Sequence, residues 1–244
     1  MFEELLSKKL PEIPDDIKAT IDKRNSIILT PFADKNELLT NKELMTQAGY
    51  GFFDDKGHGL AAMYCPMPGI TIEMIQWWFW WHPQADVRYQ IWFPGAHKTI
   101  SFDKKNADYY TQKKMPEFHP STVNYPKERV GDMTTTCKLQ FCAPEDAGFS
   151  KKLMEENDIA FILFAHVGIK NLFSHTEMAH IFKKTDDGLF MYSRFWMGES
   201  LKNSFLRKKL ITDNTLRGMA EHCCIEYRNL VEILPDLYKK YGNG

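Results

Sequence analysis

Residues Thr212 to Tyr241 read TDNTLRGMAEHCCIEYRNLVEILPDLYKKY, and this stretch decides the fold. Its apolar side chains recur mostly at steps of three and four residues, which is the period of an amphipathic helix. They are Leu216, Met219, Cys223, Leu230, Ile233, Leu234 and Leu237. Good N-cap residues open the stretch, and two lysines lie in its last turn, where cations suit the helix dipole. The pattern predicts a long C-terminal helix with one apolar face.

Two polar side chains on that helix are candidate metal ligands. His222 and Glu226 are four residues apart, so a helix places them on one face with their Cβ atoms about 5–6 Å apart. An imidazole and a carboxylate presented together form half of a zinc site. A His four residues before a Glu is also a common solvated pair, so the pair by itself leaves both interpretations open.

Composition excludes several classes of protein. The 244 residues carry 31 Lys plus Arg against 32 Asp plus Glu, a formal charge of −1, so neither a nucleic acid nor an anionic membrane is an expected partner. The chain contains no run of 18 apolar residues, and its first residues are charged rather than typical of a signal peptide, so we expect a cytoplasmic protein. Five cysteines, an odd number, do not resemble a secreted disulfide framework.

The chain divides into a small first part and a large second part. Residues 1–50 consist of short amphipathic pieces punctuated by Pro11, Pro14 and Pro31, which predicts a small helical N-terminal region. Residues 51–244 then form the main domain.

An aromatic run follows within that domain. The run that begins at Thr71 and stops at Pro83 is apolar on nearly all sides, which predicts a helix buried on more than one face. Its last residue before the proline, His82, is expected to be a hydrogen-bonded structural histidine. Arg88 to Phe93 alternates between polar and apolar residues, which predicts a strand.

The middle of the chain is rich in β-branched and aromatic residues, which predicts strands. The predicted strands are Met133 to Cys142, Ile159 to Val167, Phe173 to Lys183 and Leu189 to Trp196. The turn Asp186-Asp187-Gly188 joins the last two as a hairpin. Long antiparallel strands followed by a long helix predict an α+β fold in which a curved sheet wraps around the helix and encloses a cavity.

Several short motifs occur in a fixed order over roughly residues 60–230. They are TxEMIxWWxxWHP at 71–83, DxRYxIWxPxxH at 86–97, MxH at 178–180, SRFWxG at 193–198 and HxxxE at 222–226. Together and in this order they resemble the diacetylphloroglucinol hydrolase and phloretin hydrolase family. The resemblance implies a Bet v 1-like (START-like) helix-grip fold with a small helical N-terminal part and one zinc ion per chain inside the cavity.

The resemblance also implies a ligand set for that ion. A His and a Glu of the sheet region fall on His97 and Glu128, and the last helix supplies His222 and Glu226. Two imidazoles and two carboxylates suit zinc, although manganese and iron accept the same ligand types.

Two further residues are implied as catalytic. A histidine outside the metal sphere maps best to His180, with His166 and His175 as rivals, because loop lengths differ across the family. Tyr89 matches a tyrosine that hydrogen-bonds a ring hydroxyl, and an ordinary strand tyrosine is the alternative. Phe195 stands where relatives can present a hydroxyl-bearing aromatic, which leaves a second hydroxyl contact open.

The implied activity is hydrolysis of the carbon–carbon bond between an acyl group and a polyphenol ring, giving a carboxylic acid and the deacylated phenol. Phloretin and diacetylphloroglucinol are the model substrates, zinc acts as a Lewis acid or as the source of an activated water, and His180 is the general acid or base. A homodimer fits the family.

Two other classes of protein remain as alternatives. One is a non-catalytic helix-grip carrier of hydrophobic or aromatic small molecules, from which bound metal would distinguish the enzyme. The other is an interaction protein whose aromatic helix, Trp77 to Trp81, packs against a dimer partner.

Overall fold

The structure, a computed structural model, describes residues 1–169 and 174–242, and an antiparallel sheet forms its centre. In chain order the described strands are β1 (Gly49–Phe52), β2 (Gly59–Pro68), β3 (His97–Thr99), β4 (Val123–Asn124), β5 (Lys127–Val130), β6 (Met133–Cys142), β7 (Ile159–Ile169), β8 (Ser174–Thr185) and β9 (Gly188–Met197). Their order across the sheet is β1-β2-β9-β8-β7-β6-β5-β3, with β4 also paired to β6.

Helices cover the inner face and one side of this sheet. The described helices are α1 (Phe2–Ser7), α2 (Asp15–Ile21), α3 (Lys42–Met45), α4 (Ile72–Trp81), α5 (Asp86–Gln90), α6 (Ala107–Tyr110), α7 (Lys151–Glu156), α8 (Ser204–Leu210) and α9 (Asp213–Tyr241). Single 3₁₀ segments lie at Phe32–Leu39, His82–Gln84 and Lys104–Asn106. None of the helices in residues 1–169 and 174–242 is both long and apolar enough to cross a membrane.

The predicted C-terminal helix is confirmed as α9. Thr212 caps it, with the side-chain oxygen accepting from the Thr215 backbone N–H at 3.3 Å. The helix contacts β1 and β2 at one end of the strand order and β5 near the other end. A sheet that touches one helix near both of its edges must curve around it, as the sequence predicts.

The aromatic helix α4 is also confirmed. Thr71 caps it at Met74 N, and the side chains of Trp77, Trp78 and Trp81 are at most 4 % exposed. These indoles are covered by the chain itself. The helix therefore does not offer the apolar partner surface that the interaction-protein alternative requires.

The prediction of a strand over Arg88 to Phe93 is wrong, because the structure has the helix α5 there, followed by a turn. A segment of six residues is too short to distinguish the helical period from the alternation of a strand, and aromatic residues three apart, such as Tyr89 and Trp92, also fit a helix. Both side chains pack on His97, with ring centroids 3.9 Å and 5.3 Å away respectively. This tertiary packing favours the helical spacing.

The strands predicted in the middle of the chain are confirmed to within two residues for β6, β7 and β9. The predicted start of β8, Phe173, lies outside the described residues, and the strand is described from Ser174. The turn at Asp186 and Asp187 joins β8 to β9 as a hairpin that closes at Thr185 and Gly188.

Strand β9 has one face toward the interior and the other toward the segment that precedes β1. Ser193 and Phe195 face the interior, while the residues that alternate with them hold the segment before β1 by bonds to its backbone carbonyls. These bonds run from Tyr192 Oη to Leu38 O at 2.8 Å, from Trp196 Nε1 to Thr30 O at 2.8 Å, and from the Arg194 guanidinium to Leu44 O. The SRFWxG motif thus serves both sides of the sheet.

Candidate metal centre

The four predicted ligands meet in the interior, although they come from distant parts of the chain. The short strands β3 and β5 pair directly at His97 and Glu128, and α9 brings His222 and Glu226 against them. The two Nε2 atoms are 3.1 Å apart, and Glu226 Oε2 lies 3.5 Å from His97 Nε2 and 3.6 Å from His222 Nε2. Glu128 Oε2 lies 3.7 Å from His97 Nε2. Three of these residues, His97, His222 and Glu226, form a group that can hold a metal ion.

Backbone carbonyls orient both imidazoles. His97 Nδ1 is 3.0 Å from Tyr89 O, and His222 Nδ1 is 3.1 Å from Arg129 O. A carbonyl oxygen can only accept, so Nδ1 carries the proton in each ring. The lone pairs of the two Nε2 atoms therefore face each other, which is the tautomer that a metal-binding histidine needs.

The protonation states favour a cation at this centre. Burial, with the neighbouring His222, holds the pKa of His97 well below its usual value, and burial also lowers the pKa of His222. Burial and the nearby Glu128 raise the pKa of the Glu226 carboxyl well above its usual value, which favours its protonated form. A divalent cation would take the place of this proton and would accept the lone pairs of both Nε2 atoms. The ligands N₂O₂ fit zinc, whose tetrahedral sites place ligand atoms about 3.3 Å apart.

Tyr89 supports the centre in a way that the sequence did not predict. Its hydroxyl donates to Glu128 Oε2, and its ring stacks on the His97 ring with an angle of 5° between the planes. Burial and then Glu128 raise the pKa of Tyr89 well above its usual value, so the hydroxyl stays a donor. Its proton is already committed to Glu128, which leaves only its oxygen lone pair for a ring hydroxyl.

Sequence reasoning missed two residues that lock α9 to the segment before β3. Trp92 Nε1 donates to Glu226 O at 2.9 Å, and Asn229 Nδ2 donates to Ile91 O at 3.0 Å and to Trp92 O at 2.8 Å. Trp92 lies within the second quoted motif, which was a signal that could have identified it. Asn229 carries no such signal, because one Asn in a helix is unremarkable without its partners.

The hairpin between β5 and β6 touches α9 one turn before His222. Gly131 in that turn has φ +55°, and a Cβ on Gly218 would lie 2.8 Å from its backbone. This approach requires glycine at position 218, and the positive φ at position 131 favours glycine there as well. The contact brings β5, which carries Glu128, close to the helix that carries the other half of the centre.

A cavity of about 410 Å³ extends from this centre between the sheet and α9. Its volume lies in the range of small-molecule sites. Its wall is mostly apolar, and the ligands Glu128, His222 and Glu226 lie on it together with His180 and Asn124.

His180 is buried, at 5 % exposure, and lies on the cavity wall rather than facing solvent. Its Nδ1 is 2.6 Å from Ser193 Oγ, which in turn donates to Met191 Sδ at 3.0 Å. The ring N–H of His180 and the hydroxyl of Ser193 both have an acceptor when Nδ1–H donates to the serine oxygen. In this tautomer Nε2 is an acceptor. Burial lowers the pKa of His180 to about 3, so the ring is neutral at physiological pH.

The structure separates the other histidines. His175 also lies on the cavity wall, with Nδ1 2.7 Å from Thr176 Oγ1 and a pKa lowered to about 4 by burial. His166 is not part of the wall in the described residues, and its Nδ1 lies 2.6 Å from Glu177 Oε2. His82 is hydrogen-bonded to Trp78 O at 2.7 Å, as predicted.

A cavity enclosed by an antiparallel sheet and one helix, with buried side chains at one end that could hold a metal ion, is the arrangement of a protein that binds a small molecule. Comparison with known sequences gives the family. The family model of the DAPG hydrolase PhiG domain matches residues 28–239, most of the chain. The chain belongs to this family, which is a family of hydrolases.

Individual relatives agree with the family. The chain is 27 % identical over 247 residues to a 2,4-diacetylphloroglucinol hydrolase of Pseudomonas protegens, an alignment that covers 88 % of the chain and 75 % of the relative. It is 29 % identical over 218 residues to a phloretin hydrolase of Eubacterium ramulus, covering 85 % of the chain and 77 % of the relative. The resemblance seen in the motifs is thereby confirmed.

Proposed function

We propose that this protein is a zinc-dependent hydrolase that cleaves the carbon–carbon bond between an acyl group and a phloroglucinol-type ring. The products are a carboxylic acid and the deacylated phenol. The observation that carries the proposal is the convergence of two imidazoles and two carboxylates at one end of an apolar cavity, with no Lys or Arg paired to them among the described residues. The names of the two hydrolase relatives support it.

The finer fold assignment belongs to the same proposal. A helix in contact with the sheet near both of its edges is what a Bet v 1-like helix-grip fold requires. The division into residues 1–50 and 51–244, the homodimer and the cytoplasmic location stay predictions.

His97, Glu128, His222 and Glu226 would hold one zinc ion per chain. When bound there, zinc supplies a Lewis acid and lowers the pKa of a water. Tyr89 holds the Glu128 carboxylate, and the carbonyls of Tyr89 and Arg129 fix the two imidazoles.

The remaining chemistry falls to side chains of the cavity wall. The apolar wall packs against the phloroglucinol-type ring of the substrate and excludes bulk water. His180 Nε2 accepts the proton of a ring hydroxyl and returns it to the ring carbon that bears the acyl group, which gives the keto tautomer. After water adds to the acyl carbonyl, the carbon–carbon bond breaks and its electron pair passes into the ring. A hydroxyl proton of the hydrate passes to the ring oxygen, which gives the carboxylic acid and the deacylated phenol.

The carrier alternative explains the cavity but not the centre. A protein that only binds hydrophobic molecules gains nothing from burying two imidazoles and two carboxylates together, because their desolvation costs free energy. Stoichiometric bound metal would count against it.

The test uses the zinc-loaded protein with and without a chelator. It measures release of phloroglucinol from phloretin, and release of acetate and the monoacetyl phenol from diacetylphloroglucinol. Chelator-sensitive release is the expected result. The variants His222→Ala and Glu226→Ala should lose both metal and turnover, and the exposed carboxylate variant Asp236→Asn on the same helix is the matched control. Retention of metal and turnover in both ligand variants would contradict the proposal.

A further inference from the structure

One polar side chain on the cavity wall has no role in the proposed reaction. Asn124 is 2 % exposed and lies in the wall, and its Oδ1 has no hydrogen-bond partner among the described residues. A buried carbonyl-type oxygen without a donor is rare in folded proteins, because it loses its hydration without compensation. Such an oxygen marks a place where a ligand or a water supplies the hydrogen.

The position of Asn124 is fixed by the sheet. It pairs with Leu139 on β6 in the register that also pairs Glu128 with Thr135, so β4 and β5 act as one interrupted strand. Residues four apart on a strand face the same side. Asn124 therefore faces the cavity alongside the ligand Glu128, about 13 Å away along the strand.

The neighbouring Tyr110 indicates the orientation of the amide. The Asn124 side chain acts to lower the pKa of Tyr110, which is the effect of a donor beside the phenol oxygen, and the Tyr110 hydroxyl donates to Thr122 Oγ1 at 3.1 Å. The Tyr110 oxygen can then only accept from Asn124, so the amide nitrogen is used there. The oxygen remains as an acceptor beside the apolar wall residues Ile100 and Leu139.

Asn124 and His180 lie on different strands of the cavity wall. The registers of β4 with β6, β6 with β7 and β7 with β8 place Asn124 in line with Thr176, about 14 Å away across three strand spacings, and His180 lies four residues farther along β8. If a hydroxyl of the phloroglucinol ring binds His180, the acyl part of the substrate lies toward Asn124. A short acetyl group would not reach this acceptor, whereas an acyl chain that ends in a second hydroxylated ring would.

We infer that Asn124 is a specificity-determining residue, whose carboxamide oxygen accepts a hydrogen bond from a phenolic hydroxyl at the acyl end of the substrate. The preferred substrate class is accordingly a phloroglucinol ketone with a hydroxyphenyl group on its acyl chain. This inference rests on the proposed function for the placement of the ring, but the binding contact itself does not depend on turnover.

The test compares two ligands on the metal-free protein by calorimetry: phloretin, and the analogue that lacks the hydroxyl on the acyl-side ring. The native protein should bind phloretin about tenfold more tightly than the analogue. In Asn124→Leu the affinity for phloretin should fall about tenfold while that for the analogue is unchanged. Gln140→Leu, an exposed amide of β6, is the matched control and should behave as the native protein does.

Each contrary result overturns the inference. Equal affinity of the native protein for both ligands would show that the hydroxyl on the acyl-side ring makes no hydrogen bond that contributes to binding. This measurement needs no variant. An equal loss for both ligands in Asn124→Leu would indicate a structural role only. Absence of hydrolysis with the predicted binding pattern intact would reject the proposed function and leave the contact standing. In an active enzyme, Asn124→Leu should raise KM for phloretin with little change in kcat.

Discussion

Two backbone carbonyls determine what the buried histidines can do. Because Tyr89 O and Arg129 O occupy the Nδ1 protons of His97 and His222, each ring must present an unprotonated Nε2 to the other. The nitrogen atoms are held at 3.1 Å without a proton to share. Preorganisation of this kind lowers the cost of binding a cation, since the rings need not reorient.

The Tyr89 hydroxyl should matter for metal affinity. Tyr89→Phe keeps the ring that stacks on His97 but removes the donor to Glu128. Loss of such an outer partner is expected to weaken zinc binding about 10–100-fold. Competition with a zinc-sensitive dye measures the affinity. Tyr64→Phe, whose ring packs on Phe190 away from the centre, is the control. An unchanged affinity for Tyr89→Phe would show that the hydrogen bond is incidental.

The role proposed for His180 in proton transfer can be separated from the role proposed for the four predicted ligands. His180→Gln should lower kcat by about 10²–10⁴-fold and leave one zinc per chain, because His180 is not part of the ligand cluster. Kinetics together with metal analysis of the same preparation give both numbers. His166→Gln, which changes a histidine outside the cavity wall, should keep its activity. If His175→Gln rather than His180→Gln abolishes turnover, the roles of the two are exchanged.

A buried histidine outside the predicted ligand set, His82, should make the fold sensitive to acid. Burial lowers the pKa of His82 from 6.5 to about 3, so between these values the unfolded chain binds a proton that the folded chain does not. Stability must therefore fall as pH decreases below about 6.5, by about 2 kcal/mol between pH 7 and pH 5 for this one group. Urea unfolding of metal-free native protein and His82→Gln at both pH values measures the difference. Equal pH dependence in the two proteins would refute the prediction.

Among the elements, α9 and the strands β6 to β9 follow from the sequence because their patterns are long. Amphipathic spacing sustained over about eight turns, and strands of ten or more residues, leave little ambiguity. The helix α5 was missed because six residues carry both periods. Trp92 and Asn229 contribute to the centre through backbone carbonyls, and a contact with a distant carbonyl leaves no pattern in the sequence.

The predicted ligands also differ in how far the sequence pattern identifies them. His222 and Glu226 could be suspected from their spacing on a helix, whereas His97 and Glu128 became candidates only through the resemblance to a family. Asn124 could not be found from sequence at all, since an unsatisfied oxygen is a property of its surroundings.

The outer face of β9 should contribute measurably to stability. Trp196→Phe keeps an aromatic ring but removes the donor to Thr30 O, which leaves that buried carbonyl without a partner. We expect the free energy of unfolding to fall by about 1–3 kcal/mol, as measured in urea. Phe205→Leu at a position that is 79 % exposed is the control and should change it by less than about 0.5 kcal/mol. A loss no greater than that of the control would mean that water replaces the indole.

For the whole molecule, the centre connects two regions that are distant in the chain. His97 and Glu128 lie at one edge of the sheet, and His222 and Glu226 lie on the helix that closes it. A bound ion would therefore act as a cross-link between sheet and helix, and its binding free energy would add to the stability of the fold.

Removal of metal should destabilise the whole protein. At a zinc concentration 100-fold above its dissociation constant, the folded state gains about 2.7 kcal/mol relative to the metal-free protein. Thermal unfolding with zinc or with a chelator measures the shift in Tm. Asp236→Asn should show the same shift, and Glu226→Ala should show almost none. A zinc-independent Tm in the native protein would mean that the four residues do not act as one site.

The place of α9 in the chain has a consequence for synthesis. The strands emerge from the ribosome before α9, so until α9 has emerged the concave apolar face of the sheet is not covered by that helix. We expect the nascent chain to need protection by chaperones during that interval, and ion loading to follow release rather than accompany elongation. A truncated chain that ends at residue 210 would contain all nine described strands and two of the four predicted ligands, with no helix to close the cavity.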